Sequence, residues 1–211
     1  MQNPVIILGA QQLGTAALDI FSSNNVIVYC FLDDSENLQQ TEINNVSVMS
    51  RTEDSEFLKL IGKKCDVFVA VEDAAARKGL IKMLKSEYEV VPVNAIHKFS
   101  AVSEHAWLGH GNLVGAGAVI NNNSRIGDNC LIQSRALVDT NAEIGDFVHI
   151  GAGAIINSEV VVEEGAFIGS GAVIVSGVKI GKNARVGAGS VVVANVPAKA
   201  TVFGNPAAPV K

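Results

Sequence analysis

An isoleucine, valine or leucine stands at every sixth position from Val102 to Val192. The series is Val102, Leu108, Val114, Ile120, Ile126, Ile132, Val138, Ile144, Ile150, Ile156, Val162, Ile168, Ile174, Ile180, Val186 and Val192, without a miss. A helix with a period near 3.6 cannot keep such a series on one face, and an alternating strand has no reason to skip positions. A strict hexad is the signature of a β-helix, in which each hexad is one short strand plus a corner.

A second regularity accompanies the first. Two residues before each aliphatic sits a small or compact residue, as at Ala106, Ala118, Cys130, Ala142, Ala154, Ala166 and Ala184. Glycine often follows the aliphatic directly, as at Gly109, Gly127, Gly145, Gly151, Gly169 and Gly187. The aliphatic and the small residue are expected to point into a triangular prism. The glycine is expected to supply the unusual backbone angles of a tight corner. Three hexads per coil give about five coils over residues 98–195, a prism roughly 25 Å tall at the usual strand spacing.

Residues 1–95 read differently. Apolar strands are expected at Val5–Leu8, Val26–Leu32, Asp66–Val71 and Glu89–Val93, with a short β segment at Ile43–Val48. Helices are expected at Thr15–Ser22, Asp54–Leu60 and Ala74–Ser86. Alternating strands and helices argue for a small parallel sheet of Rossmann type, which binds ligands at the C-terminal ends of its strands. The chain is thus expected to hold an α/β domain over 1–95 and a β-helix domain over 96–211.

The first strand runs into Gly9-Ala10-Gln11-Gln12-Leu13-Gly14. This matches the GxGxxG dinucleotide fingerprint only at its ends, because Gln11 takes the place of the middle glycine. Two readings stay open: a turn whose glycines serve geometry alone, or a helix N-terminus that presents amides to an anion. Asp33 and Asp34 end the second strand, either as a solvated turn or as acids that meet a ribose or base.

Composition excludes several classes. The net charge of −5 leaves no basic footprint for nucleic acid. Cys30, Cys65 and Cys130 are odd in number and form no CxxC pair, which fits a reducing cytoplasm. The N-terminal apolar stretch is too short for a signal peptide or membrane span. No histidine pair shows metal spacing. His110 reads as a surface residue, while His97, His105 and Trp107 read as structural.

The two halves together resemble the bacterial sugar acetyltransferases of the sialic acid O-acetyltransferase and bacillosamine N-acetyltransferase type. The marks are Ile7-Leu8-Gly9-Ala10, Phe31-Leu32-Asp33-Asp34, Ile96-His97, Ile144-Gly145-Asp146-Phe147-Val148-His149-Ile150, Val186-Gly187-Ala188-Gly189-Ser190-Val191-Val192 and Val202-Phe203-Gly204-Asn205-Pro206-Ala207. The resemblance implies a left-handed parallel β-helix and a homotrimer, and the outward apolar residues Val161, Val173, Val175 and Val191 are expected to supply contact surface. It implies acetyl-CoA as donor, in a groove past His149, Ser158, Ser170 and Ala188. It implies a nucleotide-linked amino sugar held by the first domain, around Gly9, Ala10, Gln11, Gly14, Asp33 and Asp34.

The resemblance breaks where the family's chemistry sits. The family's base histidine and its acidic partner fall on Thr140 and Asn141, neither of which acts as a base near neutral pH. A glycine near the thioester falls on Ser158. A glycine and a histidine of the first turn fall on Gln12 and Leu13. His149 keeps the family's second histidine and becomes the remaining candidate base. Two further readings stand beside the enzyme: a homologue that holds CoA or a sugar nucleotide without turnover, and a purely structural β-helix.

Overall fold

The computed structural model describes residues 3–210. The chain divides into two compact units, Met1–Ala95 and Ile96–Lys211.

The first unit is built on β1 (Val5–Leu8), α1 (Gln12–Ser23), β2 (Val28–Leu32), β3 (Glu42–Ile43), β4 (Val46–Ser50), α2 (Ser55–Leu58), β5 (Asp66–Val69) and α3 (Ala74–Glu87). The sheet order is β3-β4-β2-β1-β5. β4, β2, β1 and β5 run parallel, which needs the crossovers that α1 and α2 help provide. Ile6, Leu8, Cys30, Leu32, Val67 and Val69 are buried from the sheet, with Leu58, Leu80 and Leu84 packed in the same cluster. Asp73 caps α3 by accepting from Ala76 N at 2.7 Å.

Two local expectations fail here. The segment expected at Ile43–Val48 is a hairpin, because Asn44 and Asn45 both take positive φ, 47° and 66°, and turn the chain between β3 and β4. The fourth strand expected at Glu89–Val93 does not form. Glu89 has φ 55°, and Pro92 has no N–H to donate to a ladder. One sheet-like bond survives, from Val93 N to Val67 O at 2.9 Å.

The second unit is a parallel β-helix. Its two-residue strands stack in three sheets, and each strand pairs with the one eighteen residues later, as His149 pairs with Phe167. Each face is named here by one outward residue. The Leu137 face carries Ala101, Val119, Leu137, Ile155, Val173 and Val191. The Arg125 face carries Trp107, Arg125, Glu143, Val161 and Lys179. The His149 face carries Leu113, Leu131, His149, Phe167, Arg185 and Thr201. The hexad aliphatics and the small residues two places earlier fill one continuous core from Val114 to Val202. An antiparallel strand, Ala207–Pro209, finishes the His149 sheet against Thr201–Gly204.

The corner glycines do a different job from the one expected. Positive φ recurs at every sixth residue from Gly111 to Gly189, three places after the aliphatic and not one. Asn123, Asn141, Gly153 and Gly171 all lie there, with φ of 57°, 59°, 67° and 67°. The glycine directly after the aliphatic is required for space. A Cβ on Gly151 would lie 2.5 Å from Ser170 N in the next coil.

Candidate functional site

In the first unit, the turn after β1 is tied to the end of β2. Ala10 N donates to Asp33 Oδ2 at 2.7 Å, and Ser35 N donates to Asp33 Oδ1 at 2.8 Å. Asp33 is buried, so it is not the solvated turn considered from sequence. Asp34 grips Thr52 instead, accepting from its amide and its hydroxyl. Gly9 and Gly14 are fixed by close packing: a Cβ on Gly9 would lie 2.5 Å from Ala70 O, and one on Gly14 would collide with Gly9 O. Gln11 precedes α1 without a side-chain cap bond, and its Nε2 reaches Ser35 Oγ at 3.3 Å. Leu13 is buried, so this turn offers no polar side chain at that position. The structure therefore gathers Gly9, Ala10, Gln11 and Asp33 at the C-terminal ends of β1 and β2, where parallel sheets gather ligand-binding groups.

In the β-helix, the expected residues fall into two groups. His149 points outward from the His149 face and is half-buried. Ser170 and Ala188 lie exposed at the corner that follows this face, each between two glycines. Gly153, Gly171 and Gly189 along this corner have open space where a side chain would project. Thr140, Asn141 and Ser158 lie at the corner between the Leu137 face and the Arg125 face. On a triangular prism that corner is opposite the His149 face. No single face of one chain carries all six residues.

The second group is organised by a residue that sequence reasoning missed. Asp139 Oδ1 accepts from Asn121 Nδ2 and from Thr140 N, both at 2.8 Å. Asp139 Oδ2 accepts from Ser158 Oγ at 2.7 Å. These hydrogen bonds, the one from Asn121 foremost, hold the carboxyl below the usual carboxylate range. Asn121, Asp139 and Asn157 are one coil apart, so a search at a spacing of eighteen finds the set. The corner thus carries a fixed anion and two hydroxyls, but no group that takes up a proton at neutral pH.

The same spacing finds a stack on the His149 face. The His149 and Phe167 rings lie 4.9 Å apart at 63°, edge to face. The Arg185 guanidinium carbon lies 4.6 Å from the Phe167 ring centre. Of the other histidines, His97 is buried and accepts from Phe99 N through Nδ1, while His110 is exposed. His105 and Trp107 are both exposed: Trp107 directly precedes Leu108 and so points away from the prism, and His105 lies in the corner before that strand. They border an open groove of about 770 Å³ on the Arg125 face, lined also by Arg125, Glu143, Val161 and Glu163. None of the expected site residues lines that groove.

The chain matches the family model "PglD N-terminal domain" over residues 4–84, and "Bacterial transferase hexapeptide (six repeats)" over 123–158 and 159–194. No curated protein sequence matches it closely. Among solved structures, it is similar to a histidine-to-asparagine mutant of perosamine N-acetyltransferase from Caulobacter crescentus, in complex with CoA and GDP-perosamine. That match has 30% identity, covers 100% of this chain and 98% of that one, and has a TM-score of 0.90. It is also similar to the acetyltransferase domain of PglB from Neisseria gonorrhoeae in complex with acetyl coenzyme A, at 28% identity, 100% coverage of both chains and a TM-score of 0.90. WeeI from Acinetobacter baumannii AYE matches at 27% identity over 98% of this chain and 99% of that one, with a TM-score of 0.87. Two family models in chain order, and a relative matched along its whole length, agree on one assignment: the chain belongs to the PglD-like family of hexapeptide-repeat sugar acetyltransferases.

Proposed function

We propose that the protein transfers an acetyl group from acetyl-CoA to a nucleotide-linked amino sugar. One observation carries this reading: the whole chain matches enzymes solved with CoA and GDP-perosamine. The sugar amine attacks the thioester carbonyl carbon, the C–S bond breaks, and CoA leaves as the thiol. His149 takes the proton that the amine loses and passes it to the departing thiolate sulfur. The first unit holds the nucleotide at the C-terminal ends of β1 and β2, around Gly9, Ala10, Gln11, Gly14, Asp33 and Asp34.

The working form is a homotrimer in the cytoplasm. The Leu137 face supports this assembly, since all six of its outward residues are apolar. A neighbouring copy also answers the split between the two groups of site residues. It sets Thr140, Asn141 and Ser158 of one chain against His149, Ser170 and Ala188 of the next. Acetyl-CoA then runs along the small-residue corner between them. Three free cysteines fit a reducing compartment.

A homologue that binds these ligands without turnover is the second reading. Thr140 and Asn141 favour it, because neither side chain serves as a base. Loss of a histidine does not by itself abolish binding: the perosamine enzyme's histidine mutants were solved with CoA and GDP-perosamine bound. The experiment is thiol release from acetyl-CoA against a panel of amino-sugar nucleotides that includes GDP-perosamine, with calorimetry for CoA. The enzyme reading expects slow turnover that rises ~10²–10⁴-fold in Thr140→His with Asn141→Asp, the usual contribution of a general base. CoA binding without thiol release in either protein favours the second reading. No heat with acetyl-CoA or CoA at millimolar concentration sinks both.

A further inference from the structure

The outward column of the His149 face has an internal order that the proposed chemistry does not use. His149, Phe167 and Arg185 occupy the same register in three successive coils. Parallel strands lie about 4.8 Å apart, so neighbouring outward side chains in such a column are forced into contact. On one side of His149 stands Leu131, which is buried. On the other stands Phe167, whose ring meets the imidazole at 4.9 Å and 63°. That geometry is the favoured edge-to-face arrangement of aromatic pairs.

Phe167 is itself held from the next coil. Arg185 places its guanidinium over the Phe167 ring at 4.6 Å, within the range of a cation–π contact. Among the described residues no carboxylate pairs with Arg185, so the ring is its defined partner. The imidazole therefore stands in register between Leu131 and a ring that is itself held by a cation. It keeps one outward edge half-exposed, at the face beside the small-residue corner.

We propose that Phe167 is a positioning residue for His149, with Arg185 fixing the Phe167 ring in turn. This rests on the reading that places His149 at the reacting groups. A free imidazole on a two-residue strand would sample several rotamers. The stack selects one, and so presents the same ring edge to the acceptor in every turnover. General-base catalysis needs hydrogen-bond reach to the proton being moved, so a drifting ring loses rate and not affinity.

The test compares the full-length protein with Phe167→Leu, Phe167→Tyr and His149→Ala. Leucine keeps an apolar outward residue but no ring face, and tyrosine keeps the ring. Phe167→Leu is expected to lower kcat roughly 3- to 10-fold, the range that an aromatic pair represents. KM for acetyl-CoA and the melting temperature should barely move, and Phe167→Tyr should restore the rate. Adding Phe167→Leu to His149→Ala should cost nothing further, as for residues that act as a unit.

Nuclear magnetic resonance of the histidine ring protons gives a readout that needs no turnover. The His149 signals, assigned by their loss in His149→Ala, should carry the ring-current shift of a neighbouring aromatic face. They should lose it in Phe167→Leu and keep it in Phe167→Tyr. Unchanged His149 signals in Phe167→Leu overturn the proposal, whatever the activity. Equal kcat in Phe167→Leu and wild type, with His149→Ala impaired, overturns it as well. Full activity in His149→Ala removes the catalytic role of His149 itself, and the ring-proton shifts still decide whether Phe167 orders the imidazole.

Discussion

Two glycines that flank Ser170 separate packing from ligand binding. Gly169 has ordinary backbone angles, but a Cβ there would lie 2.5 Å from Ala188 N, 2.7 Å from Gly187 C and 2.8 Å from Ala188 Cα. Attractive contact between such atoms lies near ~3.5–4.0 Å, so roughly 1 Å of clearance must be made. The coils resist this, because Gly169 N donates to Val186 O at 2.8 Å and Gly189 N to Ser170 O at 2.9 Å. Overpacking costs about 1–3 kcal/mol, and each stretched hydrogen bond adds up to about 1 kcal/mol. Gly169→Ala is therefore expected to cost ~3 kcal/mol, a fall of roughly 6–12 °C in melting temperature for a chain of this size. Gly171 differs in kind. Its φ is 67°, and nothing lies within 4 Å of an added Cβ. Asparagine already occupies the equivalent hexad position at Asn123 and Asn141. Gly171→Asn should cost less than about 1 kcal/mol, since asparagine tolerates left-handed angles. Its side chain, however, would project into the corner where acetyl-CoA is proposed to lie. Thermal and urea denaturation should rank the two variants in that order, and calorimetry should show CoA binding weakened in Gly171→Asn. If Gly171→Asn proves as unstable as Gly169→Ala, the glycines serve backbone angle after all. Undiminished CoA binding by Gly171→Asn moves the groove elsewhere.

Asp139 gives a pH prediction. Its carboxyl is held below the usual range by its hydrogen bonds with Asn121, Ser158 and Thr140. Its contribution to stability is thus fully present above the unfolded value near ~3.9 and is lost as pH falls through the folded value. Urea midpoints of wild type and Asp139→Asn should differ at pH 7 and converge as the solution is acidified below about pH 4; a constant gap would deny the linkage. On the Leu137 face, Leu137→Arg should turn the proposed trimer into single chains of 22.0 kDa by light scattering. Its circular dichroism should not change, because the residue points away from the prism, and an unaltered mass would place the subunit contact on another face.

The β-helix was legible because its repeat is enforced at two inward positions per hexad. Ile126, Val138 and Ile150 are fully buried, and so are Ala136, Ala142 and Ala154. The corner was read less well. Glycine after the aliphatic caught attention as a backbone residue, yet it is there because the next coil's peptide passes within a van der Waals radius. The left-handed residue is three places on, where glycine and asparagine predominate but Arg135, Phe147 and Glu159 also occur. Those exceptions dilute the sequence signal, while the closed coil imposes the angle on whatever residue arrives. In the first unit, the missing strand at Glu89–Val93 shows the opposite weakness. Its hydrophobic run was real, but Pro92 removed the donor that a ladder needs there.

The site was less legible for a geometric reason. A spacing of six tells which residues point inward, but neighbours on one outer face are eighteen apart. Residues nine apart, such as Thr140 and His149, lie on opposite sides of the same prism. Closeness along the chain therefore made one catalytic cluster out of two surfaces. The groups that do touch are Asn121 with Asp139, Asp139 with Ser158, and His149 with Phe167. This division also separates the positions that the resemblance marks as departures. Three of the residues so marked, Thr140, Asn141 and Ser158, share one corner, while His149 stands on the opposite face beside the corner of Ser170 and Ala188. A surface that lost its function as a whole would have no reason to keep one half ordered. The fixed Asp139 carboxylate shows that this corner is ordered too, by hydrogen bonds from Asn121, Thr140 and Ser158. The corner is built around an anion whose oxygens are held from two neighbouring coils.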